Sequence, residues 1–226
     1  MIEMLNISGG KKQEAKGQAI NVSENTNFNV TIPENVTRIN GVAIAGGGSG
    51  GGSGGSGGGG GSLVYFNHVP VKTGDILRLS VGPTAAFSYV DGNKGSSVTI
   101  TLNGVAILTI DGATGGTRVS KVGGKTGIVS VPADSPLRAV GASYTVGAGT
   151  SGVSATSGAP GTAGSYTTTA NIGGQSPYGQ GGSNKIFGAG SKGAAVDDSS
   201  PTCAPGAIRI VWGDGREYPD NSIGDK

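Results

Sequence analysis

The chain has 226 residues with a formal net charge of +2, and glycine fills 47 of its positions. Charged residues make up 13%, about half the ~25% usual in a soluble domain, while apolar residues reach 35%, enough for a modest core. This balance gives no broad basic field for nucleic acid, no apolar run approaching the ~20 residues of a membrane helix, and not the low hydrophobicity with high net charge that keeps chains disordered.

Residues 1–21 are polar and mixed, with Lys11, Lys12 and Lys16, and read as an N-terminal arm ahead of one domain over 22–226. Met1–Gly10 carries no basic stretch followed by an apolar one, so a secretion signal is not expected. Phe28, Val30 and Ile32 alternate with polar residues, the period of a half-buried strand. Pro33 and Glu34 make a turn, and Arg38–Ala45 follows as a second strand with Ile39, Val42 and Ile44 apolar. Gly46–Gly61 contains only glycine and serine. Strand character resumes at Leu63–Phe66, and Val69–Asp75 turns into a strand over Ile76–Val81. Val98–Leu102 and Val105–Ile110 flank Asn103-Gly104, the strongest short hairpin signal, because both residues tolerate the positive φ of a type I′ turn.

Beyond Asp111 the pattern loosens. Ile128–Val131, Ser143–Val146 and Tyr166–Ala170 are short strand candidates, Gly147–Gly164 is almost featureless, and Ala207–Trp212 is a clear strand. Glycine costs a helix interior about 1 kcal/mol per residue, so alanine-rich stretches interrupted by it are poor helices. The fold class expected is all-β: β-sandwich-like sheets with long glycine-rich loops.

Two readings of Gly46–Gly61 stand side by side. As a flexible linker it would span roughly 22 Å. As an ordered segment it would adopt a polyglycine-II conformation, the three-residue extended helix that can lie against its neighbours when side chains are missing. That helix has no internal hydrogen bonds, and fixing backbone costs about 1–2 kcal/mol per residue. Order therefore requires several such segments bundled together, and glycine-rich stretches do recur at Gly112–Gly127, Gly147–Gly164, Gly173–Gly182 and Gly188–Gly193.

Candidate chemistry is sparse. Gly123-Gly124-Lys125-Thr126 resembles the end of a phosphate-binding loop, but the earlier glycine position is Val119 and no helix pattern follows. Asp91-Gly92-Asn93-Lys94-Gly95 begins like a calcium loop yet has Leu102 where glutamate belongs, so a hairpin turn is the better reading. Asp197-Asp198 reads as a solvated loop, and His68, the single histidine, has no nominated nucleophile or orienting acid. Cys203 has no second cysteine to pair with and reads as a small buried residue. No metal site and no cofactor are expected. The residues singled out as receptor contacts are Tyr144, Tyr166, Tyr178 and Phe187, aromatics within glycine-rich or polar segments, since tyrosine offers rigid amphipathic surface at low entropy cost. For each, core packing or a subunit contact is the competing reading.

"V-T-I-P-E-N-V-T" (Val30–Thr37), the strand running into poly-glycine, "L-V-Y-F-N-H-V-P-V-K-T-G-D" (Leu63–Asp75), "L-S-V-G" (Leu79–Gly82) and "G-A-I-R-I-V-W-G-D-G-R-E-Y-P" (Gly206–Pro219) form a set of motifs. Together they resemble the glycine-rich domain of bacteriophage tail-fibre and related virion proteins over roughly Val22–Lys226. A looser similarity is to the adhesins that cap T-even-type long tail fibres, in which polyglycine helices form a sandwich and loops between them touch the receptor. The resemblance implies a non-enzymatic fibre or spike tip that attaches the virion to its host, residues 1–21 docking it to the particle. The alternatives are a structural appendage (neck or capsid fibre, or decoration protein) and, more remotely, a sugar-cleaving depolymerase. Implied partners are fibre or baseplate subunits and a host surface glycan or outer-membrane protein, with no nucleic acid and no membrane insertion. A homo-oligomer, specifically a trimer, is implied by fibre-like relatives. The implied location is the phage tail after synthesis in the host cytoplasm, where a single cysteine is unremarkable.

Overall fold

A computed structural model describes residues 16–21, 26–52, 55–86, 88–149, 151–152 and 203–218. Ten described strands run in chain order as β1 (Gly17–Asn21), β2 (Thr26–Thr31), β3 (Arg38–Ile44), β4 (Leu63–Pro70), β5 (Ile76–Val81), β6 (Val98–Leu102), β7 (Val105–Ile110), β8 (Val129–Ser130), β9 (Ser143–Gly147) and β10 (Ala207–Trp212). The one helical element among the described residues is a short 3-10 turn, Pro136–Arg138. The chain is all-β, as its periodicity predicts.

The strands form two five-stranded antiparallel sheets, ordered β1-β10-β3-β4-β9 and β2-β5-β6-β7-β8. Period-2 alternation decides which face is buried. Along β5, Leu77, Leu79 and Val81 are buried while Ile76 and Arg78 are exposed. The main core lies between the sheets and joins Ile39, Phe66 and Ile210 of the first to Leu77, Leu79, Ile100 and Leu108 of the second. At Asn103-Gly104 the φ angles are 49° and 86°, the positive pair that the hairpin signal requires.

β10 is buried along its whole length because both of its faces are covered. Ile208, Ile210 and Trp212 enter the main core, while Ala207 and Val211 join Ile44, Leu63, Tyr65 and Tyr218 in a second apolar cluster on the outer face. The segment after β10 straps this face. Tyr218 stacks on Tyr65 with ring centroids 5.5 Å apart. The Asn67 side chain bonds Tyr218 at both ends, its amide donating to the Tyr218 carbonyl at 2.6 Å and its oxygen accepting from the Tyr218 N–H at 2.8 Å. Buried Asn40 donates to the Arg216 carbonyl and accepts from the His68 N–H. The C-terminal motif is thus explained by closure of the first sheet.

Two readings change. Gly17–Asn21, taken above as part of the arm, pairs along its length with β10 as the sheet's edge strand. Asp91–Gly95, read as a hairpin turn, instead runs into an extended segment whose N–H groups bond a neighbouring glycine-rich stretch. Tyr166–Ala170 lies outside the described residues.

Burial pushes the Tyr65 phenol up to about 12. In the unfolded chain tyrosine ionises near 10, so between these values only the unfolded state has lost the proton. Stability that is complete below about pH 10 should therefore fall as pH rises towards about 12. Urea midpoints measured across this range should decline in the wild type and decline less in Tyr65→Phe.

Candidate functional site

Each glycine-rich stretch among the described residues begins or ends at a strand terminus at the same end of the sandwich. Residues 46–52 leave β3 and 55–61 return to β4; residues 82–97 link β5 to β6, 111–128 link β7 to β8, 148–152 continue β9, and 203–206 lead into β10. Their hydrogen bonds advance in steps of three residues. The N–H groups of Gly46, Ser49 and Gly52 donate to the carbonyls of Ser96, Asn93 and Val90. Gly48 and Gly51 donate to Gly59 and Ser56, Gly92 and Gly95 to Gly116 and Ala113, and Ala113 and Gly116 to Gly46 and Ser49. A step of three is the period of the polyproline-II-type helix, which points successive N–H groups at different neighbours. This is the ordered alternative for the described residues 46–52 and 55–61, a bundle of extended segments that satisfy one another's backbone.

Glycine is required here because of close approach. A methyl group built on Gly48 would overlap the Thr114 carbonyl, and one on Gly58 would overlap the Gly48 carbonyl. Serine occurs where a hydroxyl has work to do. Ser49 Oγ accepts from the Asn93 N–H at 2.7 Å, and Ser62 Oγ donates to the Gly127 carbonyl at 2.6 Å. Ser56 Oγ donates to the Val122 carbonyl and accepts from the Thr117 N–H at 3.0 Å. These hydroxyls pin the register of otherwise featureless backbone. Near the base of the bundle, buried Cys203 donates its thiol to the Ala85 carbonyl at 3.0 Å.

At the end remote from the sheets the described bundle finishes at Gly52, in Ser88–Asp91 and in Arg118–Val122. The last two are tied together. Asp91 Oδ1 accepts from the Arg118 N–H at 2.7 Å, and the Arg118 guanidinium reaches the Tyr89 carbonyl at 3.4 Å. The Thr117 hydroxyl accepts from the Val122 N–H at 2.8 Å and closes the 118–122 turn, where Lys121 has φ 56°. These loops expose an apolar group: Tyr89 is 79% and Val119 88% exposed, and Val90 and Val122 are also largely open. A polar backbone framework holds a tip that exposes these apolar side chains beside Asp91, Arg118 and Ser120.

Of the aromatics singled out from sequence, Tyr144 lies on β9 opposite Phe66, within the first sheet and away from this tip. Tyr166, Tyr178 and Phe187 lie outside the described residues, as does Asp197-Asp198. Sequence reasoning passed over Tyr89, Val90 and Val119. The available signal was apolar side chains stranded between glycine-rich segments without a strand period. In Gly123–Thr126 the Gly124 N–H donates to the Gly57 carbonyl and the Lys125 N–H to Thr114 Oγ1, so these donors are engaged inside the bundle. His68 has φ 59° beside a register shift between β3 and β4, and its Nε2 meets Glu217 Oε1 at 2.7 Å, which places it in the strap. Among the described residues no three His, Cys, Asp or Glu side chains gather in a way that could hold a metal ion.

A family model described as a glycine-rich domain matches residues 22–137, a span that takes in β2 to β8 and both tied tip loops. No curated protein matches the chain.

Two substitutions test the bundle. Gly58→Ala should destabilise by at least about 1–3 kcal/mol, the usual cost of overpacking, read as a lowered melting temperature. Ser56→Ala removes a hydroxyl that accepts from the Thr117 N–H and donates to the Thr117 and Val122 carbonyls. These groups keep other partners, the Thr117 N–H still reaching the Val122 carbonyl, so the cost should be about 0.5–1.5 kcal/mol. Its mark should be faster amide exchange at Thr117, which loses one of its two acceptors, with β5 and β6 unchanged.

Proposed function

The chain belongs to the glycine-rich domain family, and on that premise we propose that it is a non-enzymatic attachment module of a bacteriophage tail fibre or spike, the bundle tip being the surface offered to the host cell. The observation that carries this reading is the exposed apolar group of Tyr89, Val90, Val119 and Val122 on loops anchored in a hydrogen-bonded backbone bundle. Rigid presentation matters because ordering a loop on binding subtracts from affinity, and here the ordering is completed during folding. The polarity of the domain supports the same reading. β10 runs from Ala207 beside Ile44, at the bundle end, to Trp212 beside Gly17. The chain therefore enters β1 at the end opposite the tip, where residues preceding Gly17 can join a particle without crowding the tip. The partners in this reading are fibre or baseplate subunits at one end and a surface molecule of the host at the other.

The purified chain should bind cells of the virion's host and compete with adsorption of the particle. Replacing Tyr89 and Val119 together by serine should weaken binding roughly tenfold or more, the scale of losing central contact residues, with the melting temperature unchanged. A chain that binds no host cell, and that labelled imaging places on the neck or capsid, would instead be a structural appendage.

A further inference from the structure

A domain held by a particle at its base and by a cell at its tip is under tension, and in this fold the tension has one way out. It enters the sheets divided, through the strand pairs β3–β4, β5–β6 and β7–β8 from which the tip excursions rise. It leaves through β1 alone, the strand that follows the residues preceding Gly17. Among the described strands β1 is an edge whose one ladder partner is β10, so the whole pull crosses the β1–β10 ladder.

Three features suit that ladder to tension. The strands run from base to tip, so the pull lies along β1, whereas antiparallel ladder bonds stand perpendicular to the strands. The bonds of all five pairs, from Gly17 with Trp212 to Asn21 with Ile208, are therefore strained together. A pull across the strands would break them in succession from one end. The base end of β1 is also held from outside the ladder. The buried Arg216 side chain donates to the Gly17 carbonyl, and Asn40 in turn holds the Arg216 carbonyl. Finally, Trp212 acts as a stop. Its indole lies directly against Gly17, where an added methyl group would overlap the ring. Drawing β1 towards the base by one pleat puts Ala19 in the place of Gly17, and Ala19 carries that methyl.

We infer that β1, β10 and the strap form a tensile clamp, a second function of the sandwich. It passes tension from tip to particle without letting the first strand slip. The direction of the pull rests on the attachment reading, whereas the strength of the clamp is a property of the domain alone.

Force spectroscopy of the full chain, stretched between introduced cysteines with no host present, tests it. Cys203 is buried, so the introduced thiols alone take the handles. Lys16→Cys with Val119→Cys pulls from base to tip. Lys16→Cys with Ser143→Cys pulls across the first sheet, because Ser143 stands at the base end of β9, the opposite edge. The axial rupture force should exceed the transverse one by about twofold or more, the ladder bonds being strained together in one and singly in the other. Arg216→Met should lower the axial force and leave the transverse force unchanged. Removing one of several bonds that act together weakens the set, whereas a peeling force is set by each bond in turn. Equal forces in the two directions would overturn the clamp. So would an Arg216→Met chain that keeps the axial force or loses both forces in proportion. None of these results bears on whether the tip binds host cells, so the two readings fail separately.

Discussion

Everything distinctive about this domain follows from one constraint: an extended backbone without side chains cannot satisfy its own hydrogen bonds. Each buried N–H and carbonyl needs a partner, and a polyproline-II-type segment supplies none internally. Ordering such a segment costs about 1–2 kcal/mol per residue and gains little apolar burial in return. The only stable arrangement is a set of segments close enough to serve one another. Side chains would keep them apart, as the position of the Thr114 carbonyl over Gly48 makes plain. Glycine content here is thus a packing requirement, set by backbone meeting backbone.

The β-sandwich solves the problem of bringing those segments together. Free glycine chains would face a large loop-closure cost before any contact formed, whereas strand pairing fixes both ends of each segment in advance. β3 and β4 hold residues 46–61 as a closed excursion, and β7 and β8 hold residues 111–128 in the same way. Apolar burial in the sheets, worth about 25 cal/mol per Å², supports a bundle that contributes almost none of its own. The serines complete the scheme. Uniform glycine could slide by one three-residue step with little penalty, and the Ser49, Ser56 and Ser62 hydroxyls meet specific backbone groups in one register, Ser56 both accepting and donating.

Most of the sandwich is legible in the sequence because side-chain alternation and strand pleat share a period of two. Phe28–Ile32, Ile76–Val81 and the Asn103-Gly104 hairpin are read directly from that coincidence. β1 is not, since Gly17-Gln18-Ala19-Ile20-Asn21 carries no alternation. It is a strand because β10 pairs with it and because the Trp212 ring lies where a side chain on Gly17 would stand. The bundle is legible only as an alternative: its three-residue period resides in hydrogen bonds, and glycine leaves no side-chain trace of which neighbour each N–H faces. The tip is less legible still. Tyr89 and Val119 are 30 positions apart in sequence and become neighbours through Asp91 and Arg118, an interaction that composition does not announce.

The same division explains how this architecture can change its contacts without losing its fold. Lattice bonds are made by backbone and by a few hydroxyls, so they depend on which positions lack side chains. Val90 and Val119 project beyond that lattice, and their side chains have no group that could join its hydrogen bonds. Substitutions there alter the exposed chemistry and leave the supporting network intact, whereas an added methyl one turn below strikes a carbonyl. Tolerance at the tip and intolerance immediately beneath it are two consequences of one packing rule. A surface that must vary against a changing partner is best placed on a frame of this kind, because recognition and stability then rest on different atoms.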